Sequence, residues 1–324
     1  MSENHMYRDS VASLNAFKGC GFLCSYCSVS FQRQAKRQKP TVDKNGKQRG
    51  CQQCYDFEPH FHPERLKGKT PATLEGQFIF YPSSGDLAFA GYKTVQQLLF
   101  YARQNPQTKF LMQTKSPRFL NQHTPLPENV LAGITFETDQ AEFTTPSSIR
   151  NYSEISNAPP PRFRSAEFIY LQHKHKAVTV EPVLQFDLSV MFFALRMINP
   201  EVVYVGYVND GAEGHKLRLP EPRLEETLRL INCLTNYGIN VRLKSLRSAW
   251  YEPKAEVKEL YQEVCVCGWK SKPSPYMPFG PGGTLDCPEC RKAKRSSEIR
   301  LEGQYGSVGV VKTLVAKKTE TTER

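Results

Sequence analysis

Short apolar runs rich in β-branched residues alternate along most of this chain with longer segments in which apolar positions recur every three to four residues. The runs predict strands at 14–17, 78–81, 110–113, 130–136, 178–181, 202–206 and 241–246, the first starting around Ser13 or Leu14 and ending at Phe17. Between them the helical period is clearest at 94–104, where Val95, Leu98, Leu99 and Ala102 share a face, and at 222–237, where Leu224, Leu228, Ile231 and Leu234 do. Further helices are predicted at 164–173 and 188–197. Pro222 near the start of the last helix and Gly238 just past its end are the usual terminal signals. Repeated strand–helix units build a parallel sheet. The expected fold class is therefore α/β, a partial (β/α) barrel of about six to seven parallel strands. Two stretches interrupt the alternation: a basic insertion at about 31–75 that carries Cys51 and Cys54, and a Ser-, Asn- and Pro-rich loop at 138–161.

From about residue 263 the pattern changes. Cys265 and Cys267 lie in CVCGW, and Cys287 and Cys290 in CPEC, with a Pro- and Gly-rich span between them. Four such thiolates suit a closed tetrahedral zinc of ribbon type, although the first pair is C-x-C where C-x2-C is commoner. A second iron–sulfur cluster or reduced thiols are the alternatives. The organisation expected is a barrel domain over 1–250, a small cysteine-rich zinc-ribbon-like appendage at 263–293, and a C-terminal extension at 294–324 ending in the polar string KKTETTER.

At 324 residues the chain is long enough to bury a barrel core. The first thirty residues lack the basic start, apolar run and small-residue cleavage site of a secretory signal, and no stretch reaches eighteen apolar residues. The expectation is a cytoplasmic protein with no membrane span. Ten cysteines, several of them in C-x-C and C-x2-C pairs, then read as metal ligands in a reducing compartment rather than as disulfides. The net charge of +11 comes from 43 basic and 32 acidic residues. Arg33, Lys36, Arg37, Lys39, Lys44, Lys47 and Arg49 face one acid, Asp43, within residues 31–50. Such a segment either steers a polyanion such as nucleic acid or is a solvated loop.

The densest chemical signal is KGCGFLCSYCSV, in which Cys20, Cys24 and Cys27 are spaced C-x3-C-x2-C with Tyr26 directly before the third cysteine. This spacing lets one short loop present three thiolates to a single [4Fe–4S] cluster and leaves the fourth iron open. A zinc knuckle or plain reduced thiols are the simpler alternatives. In the insertion, Cys51, Cys54, His60 and His62 supply the donors of a Cys2His2 zinc site, although two histidines one residue apart are an unusual spacing for it.

The cysteine motif resembles the signature of the radical S-adenosylmethionine superfamily. Further strings make the match narrower: NAFKGCGFLCSYC at 15–27, FHPERL at 61–66, YPSSGD at 81–86, QTKSPRF at 113–119, NVLAGITFE at 129–137, VTVEP at 178–182, VVYVG at 202–206 and VRLKS at 241–245. Together they resemble the bacteriophage-type three-Cys-motif family, largely of unknown function and related to the photoproduct-lyase group. Two departures stand out. Family members commonly place the first cysteine further from the second and follow the third with Tyr-Ala, whereas Ser28 follows Cys27 here, and the glycine-rich acidic turn after the sixth strand reads GYVNDG at 206–211.

The resemblance implies a [4Fe–4S] cluster on Cys20, Cys24 and Cys27, and S-adenosylmethionine at the carboxyl ends of the strands. It also implies reductive cleavage of that cofactor to a 5′-deoxyadenosyl radical, with electrons from a donor such as flavodoxin or ferredoxin. By position the turn Ser83, Ser84, Gly85 and Asp86 receives the cofactor's amino group, a role that serine oxygens, a carboxylate and a close-approaching glycine suit chemically. Tyr26 belongs to the same cofactor set. Glu137 and Glu181 each end a predicted strand, where a carboxylate is costly unless it is bonded, and either suits ribose hydroxyls or a substrate. Gln113, Lys115 and Lys244 also fall at strand ends, as anion ligands or as salt bridges between strands. His62, Glu64 and Arg65 sit in a family string of unassigned purpose. A different class of function also fits these residues, a non-catalytic, zinc-stabilised nucleic-acid-binding protein resting on the basic insertion and the CVCGW and CPEC pair.

Overall fold

A computed structural model describes residues 7–27, 39–144, 149–208, 217–265 and 308–318. The chain divides into two compact units, 1–222 with 239–246 and 223–238 with 247–324. In chain order the elements are β1 (Ser10–Ser13), β2 (Phe17–Lys18), β3 (Thr41–Val42), β4 (Gln48–Arg49), α1 (Gln52–Asp56), β5 (His60–Phe61), β6 (Phe78–Phe80) and α2 (Tyr92–Gln104). There follow β7 (Phe110–Thr114), α3 (Pro117–Asn121), β8 (Val130–Thr135), β9 (Glu142–Thr144), β10 (Ile149–Asn151), α4 (Pro161–Ile169), β11 (Lys176–Val180), α5 (Leu188–Ile198) and β12 (Val202–Val205). The last are α6 (Leu224–Asn236), β13 (Val241–Leu243), β14 (Ala255–Cys265) and β15 (Val308–Lys318).

In the first unit seven parallel strands form one sheet in the order β1-β6-β7-β8-β11-β12-β13, which is also their order along the chain. Within this unit α3, α4 and α5, each following a strand, pack in succession, as crossovers between neighbouring parallel strands in unbroken order dictate. The sheet curls. Asp9, next to β1, accepts a hydrogen bond from Tyr204 of β12 at 2.8 Å and lies 3.8 Å from Arg242 of β13, so side chains bridge the first strand to the last. The architecture is the expected partial (β/α) barrel.

The interior is graded along the strands. At its base Tyr7 fills the curl, edge-on to Phe78, Phe80 and Tyr204, with Leu111, Leu131, Ala177 and Val202 around it. Its hydroxyl meets a middle layer of amide and hydroxyl groups, pairing with Gln113 and lying 2.9 Å from Thr179, while Gln113 donates to Thr135 at 2.7 Å. Beyond that layer come charges: Lys115, Glu137, Glu181 and Lys244. Along β7, β8 and β11 the inward positions thus turn from apolar to polar to ionic toward the carboxyl end, as Leu111, Gln113 and Lys115; Leu131, Thr135 and Glu137; and Ala177, Thr179 and Glu181.

The central strands read clearly in the sequence because β8, β11 and β12 are buried on both faces and so appear as runs dominated by apolar and β-branched residues. The first strand differs from expectation. It is Ser10–Ser13, and residues 14–17 instead leave the sheet, Leu14 making the last bond to Phe80 at 3.0 Å before Asn15 turns inward. Ala16 and Phe17 are buried, which gave 14–17 its strand-like pattern. Helix α4 starts at Pro161, a residue suited to a first helical turn, and α6 starts after Pro222, where Glu226 accepts from the Arg223 N–H at 2.8 Å.

In the second unit β14 and β15 form a long antiparallel ribbon, from Ala255 opposite Lys318 to Cys265 opposite Val308. Asn232 of α6 both donates to and accepts from the Leu314 backbone, at 2.9 Å each way. Among the described residues no helix is long and apolar enough to cross a membrane.

Candidate metal and cofactor site at the strand ends

The cysteine loop is rooted in a two-residue ribbon, β2 against β5, with Phe17 opposite Phe61 and Lys18 opposite His60. Gly19 follows at φ +89°, and a Cβ there would lie 2.1 Å from the Glu58 carbonyl oxygen, so no side chain fits. Gly19 N–H donates to Ser84 O at 3.0 Å, and Gly19 O accepts from Asp86 N–H at 3.2 Å, a parallel bridge centred on Gly85. A Cβ on Gly85 would stand 2.9 Å from the Gly19 oxygen, so this contact too depends on glycine. The loop's other flank rests on residues 155–158. Ser25 N–H donates to Ile155 O and Asn157 N–H to Phe22 O, each at 2.8 Å, and Cys24 Sγ lies 3.0 Å from Ser156 Oγ.

Cys24 is buried at 4% exposure, and Cys20 and Cys27 are half-buried among Phe22, Ala88, Phe89 and Ala158. Burial pushes the Cys20 thiol well above its ordinary value, with the Asp86 carboxylate and the other two sulfurs adding to it. Burial, and then Cys24, pushes Cys27 up to about 12. Cys20 and Cys27, raised in this way, stay protonated unless nearby positive charge compensates them. A single tetrahedral ion with sulfur bonds of about 2.3 Å needs its donors within about 4 Å of one another. The compact donor group among the described residues, with all ligand atoms within 4.8 Å, is in the insertion and does not include these cysteines. The loop's three-thiol donor set suits a sulfur-ligated metal centre.

The facing turn is fixed from below. Asn15 Oδ1 accepts from Ser83 N–H at 2.8 Å, Ser84 N–H at 2.9 Å and Ser83 Oγ at 3.0 Å. Asp86 Oδ1 accepts from Ala88 N–H at 3.0 Å and Thr114 Oγ1 at 2.5 Å, and Oδ2 from Lys115 N–H at 2.8 Å. Burial raises the Asp86 carboxyl even against these donors. Three internal bonds make Asp86 the tie between the turn and the end of β7.

Two carboxylates, Glu137 and Glu181, complete this end of the barrel. Glu137, just past β8, is fully buried: Arg164 of α4 pairs with it at 2.8 Å, the Lys115 ammonium and Tyr26 hydroxyl both reach Oε1, and the Tyr152 hydroxyl lies 3.3 Å away. Arg164 also donates to Thr135 O at 2.5 Å and to Tyr152 Oη at 2.7 Å, and Lys115 Nζ sits 2.5 Å from Tyr26 Oη. Burial alone would raise Glu137, but Arg164 and Lys115 hold it well below the usual carboxylate range. Lys115 is raised in turn, Glu137 outweighing the burial that would lower it. Burial, then Glu137, pushes the Tyr26 phenol up, so its proton stays on the hydroxyl. Because Tyr26 sits between Cys24 and Cys27, this network joins the cysteine loop to the ends of β7 and β8.

Glu181, just past β11, pairs with Lys244, just past β13, and its Oε1 is buried with no hydrogen-bond partner among the described residues. Burial raises Glu181 and lowers Lys244 despite their attraction. Lys244 Nζ also lies 4.4 Å from the centre of the Tyr7 ring.

The structure therefore gathers Cys20, Cys24, Tyr26, Cys27, Ser83, Ser84, Gly85, Asp86, Lys115 and Glu137 around one end of the barrel, with Glu181 and Lys244 on its later strands, whereas Gln113, expected at a strand end, lies within β7 in the middle layer and bonds Tyr7 and Thr135. Cys265 ends β14, whereas Cys267, Cys287 and Cys290 lie outside the described residues, as do Ser28 and residues 209–211. Cys51, Cys54, His60 and His62 converge separately. Sequence reasoning missed Asn15, Ser156, Tyr152 and Arg164. A signal existed for Arg164, since it shares the buried stripe of its helix with Phe168, and a cation on such a stripe implies a buried anion.

No protein-family model matches the chain, and no curated protein does. Solved structures similar to it include native anSMEcpe with bound AdoMet and Cp18Cys peptide, at 9% identity and a TM-score of 0.37, over 72% of this chain and 62% of that one. A hexahistidine-tagged anSMEcpe with bound AdoMet is similar at 10% identity and a TM-score of 0.36, over 72% and 63%. The chain spans about three fifths of the length of these structures. The likeness is distant, and a functional assignment has to stand on the residues.

Proposed function

We propose that this protein is a radical S-adenosylmethionine enzyme in which Cys20, Cys24 and Cys27 hold a [4Fe–4S] cluster and S-adenosylmethionine binds beside it against the turn of residues 83–86. The observation that carries this is the Gly19–Gly85 bridge, which seats a three-thiol loop directly on a glycine turn at the carboxyl end of a parallel sheet. When bound, the pair supplies reductive cleavage of a sulfonium bond and, from it, radical chemistry on a substrate hydrogen.

The chain's own residues do the positioning. Gly19 and Gly85 allow backbone to approach backbone, and the Ser83 and Ser84 oxygens are the acceptors for an ammonium group, with Asn15 and Asp86 holding the turn in place. Phe22, Phe89 and Ala158 exclude water around the sulfurs. Tyr26 carries the loop onto Glu137 through its hydroxyl. Glu181 Oε1 is the unsatisfied acceptor for a ribose or substrate hydroxyl. The substrate is unassigned, and the electrons come from an external donor such as flavodoxin or ferredoxin.

Anaerobic reconstitution with iron and sulfide tests this. The expected outcome is a brown protein that releases 5′-deoxyadenosine from S-adenosylmethionine under reduction, and Cys24→Ala should abolish both colour and release. A Cys24→Ala protein that still cleaves the cofactor would sink the assignment. So would a colourless wild type holding only zinc, which would favour the non-catalytic nucleic-acid-binding class.

A further inference from the structure

Cys51, Cys54, His60 and His62 bring one ligand atom each into a space where all four lie within 4.8 Å of one another. Cys54 Sγ is 3.2 Å from His60 Nε2 and 3.1 Å from His62 Nε2, Cys51 Sγ is 3.6 Å from His60 Nε2, and the two Nε2 atoms are 2.7 Å apart. Local structure explains the convergence. Cys51 caps α1 and Cys54 lies one turn on, so both point the same way; Phe57 then reverses the chain at φ +59°. His60 begins β5 and His62 follows it immediately, so residues two apart project to one side. The spacing that looks wrong for histidines on a helix is right for histidines on extended chain.

The outer nitrogens settle what the inner ones present. His60 Nδ1 lies 2.7 Å from the Glu58 carbonyl oxygen, which can only accept, so Nδ1 carries the proton. His62 Nδ1 lies 2.8 Å from Glu64 Oε1, a carboxylate in the same position. In each neutral ring Nε2 therefore offers a bare lone pair, and two such lone pairs face each other at 2.7 Å with two sulfurs around them. One cation among the four atoms satisfies both nitrogens and both sulfurs at once, which a single shared proton does not. Histidine with its second nitrogen bonded to a carboxylate or carbonyl is also how proteins orient metal-ligating imidazole.

The geometry points to a mononuclear, four-coordinate Zn2+ site made by Cys51, Cys54, His60 and His62, separate from the cysteine loop and structural in purpose. Two thiolates and two imidazoles are a tetrahedral zinc donor set, whereas hard cations prefer oxygen. A two-iron cluster places its histidines and cysteines on different irons, which does not suit Cys–His pairs this close. Binding forms two Zn–S and two Zn–N bonds and releases both thiol protons to solvent, leaving the ion and its ligands neutral overall. With four protein ligands no position stays open for substrate. The ion would staple α1 and β5 together, and through β5 it would hold β2, since Lys18 pairs with His60 and His62 N–H donates to Ala16 O at 2.6 Å. Cys20 follows two residues after Lys18.

The test uses the purified full-length protein. X-ray absorption at the zinc edge should show nitrogen at about 2.0–2.1 Å beside sulfur at about 2.3 Å, and Co2+ exchange should give the intense visible bands of tetrahedral thiolate ligation. The double variant Cys51→Ser, Cys54→Ser should lose about one zinc per chain and the nitrogen part of the zinc shell, while Cys287→Ser, Cys290→Ser keeps that nitrogen. Should the first variant not fold, Glu64→Gln serves instead, with zinc affinity lowered about 10- to 100-fold. A wild-type zinc shell of sulfur alone, or no zinc, would overturn the site, as would unchanged zinc in the Cys51, Cys54 variant. The cluster assignment is judged apart, on iron content and 5′-deoxyadenosine release, so either conclusion can fail without the other.

Discussion

Glu137 and Glu181 hold corresponding places, each just past the carboxyl end of an interior strand, the first fully buried and the second nearly so, yet their surroundings push them in opposite directions. Glu137 has two cations, Lys115 and Arg164, and two phenol hydroxyls; Glu181 has one cation, Lys244, and an oxygen with no partner among the described residues. A carboxylate with two cations is a joint that holds structure together. One with a single, easily neutralised cation and a spare acceptor is instead suited to receive a ligand.

The sharpest way to break this contrast is Glu137→Gln, which leaves the buried Arg164 and the half-buried Lys115 without a counter-charge. It should cost about 3–5 kcal/mol in denaturant unfolding of the barrel. The pH dependence has a definite sign. Because the folded carboxyl is depressed, its contribution is fully present above the unfolded value of about 4.3 and is lost as pH falls through the folded one, so variant and wild type should converge in acid. A gap that persists undiminished would show that packing and not charge is lost.

Glu181→Gln should cost less, about 1–3 kcal/mol, because burial already lowers Lys244 and the lysine can shed its proton. Here the sign reverses. The raised folded carboxyl favours the protonated form, so its contribution is greatest below about pH 4.3 and declines as pH rises through the folded value. The glutamine variant should lack that decline in stability-against-pH measurements. A decline of equal size in both proteins would remove Glu181 from the account.

Tyr26→Phe should have the smallest effect, since one hydroxyl leaves Glu137 while the ring and both cations stay. About 0.5–1.5 kcal/mol is expected, with iron content retained after reconstitution. Loss of iron would mean that the hydroxyl, not the thiols alone, shapes the loop.

The sequence revealed most where burial is two-sided. β8, β11 and β12 announce themselves because β-branched and apolar residues dominate them, and strand-end carboxylates stand out against such runs. It concealed whatever depends on contacts distant along the chain. Arg164 meets Glu137 only because α4 packs beside the strands, and Tyr7 touches residues of four strands with no local pattern to betray it. β1 was displaced because its Ser-Val-Ala-Ser alternation is weaker than the buried run that follows it. β5 is too short to have a period at all, which hid the correct geometry of His60 and His62. Part of the basic insertion proved to be internally balanced, with Asp43 accepting from Arg49 at 3.1 Å within the β3–β4 hairpin.

The pairing of β2 with β5 fastens the chain at Lys18 and His60, so the stretch between them is a loop closed at its neck. Its chemistry clusters at the two ends of the stretch, cysteines 20 to 27 at one and Cys51 and Cys54 at the other, while the β3–β4 hairpin lies toward the middle. Closure entropy grows only with the logarithm of length, and doubling a flexible loop costs about 0.6 kcal/mol. The middle of this stretch can therefore be lengthened, trimmed or exchanged with little penalty to either end, which makes it the natural place to graft a recognition element and redirect the protein to a new partner.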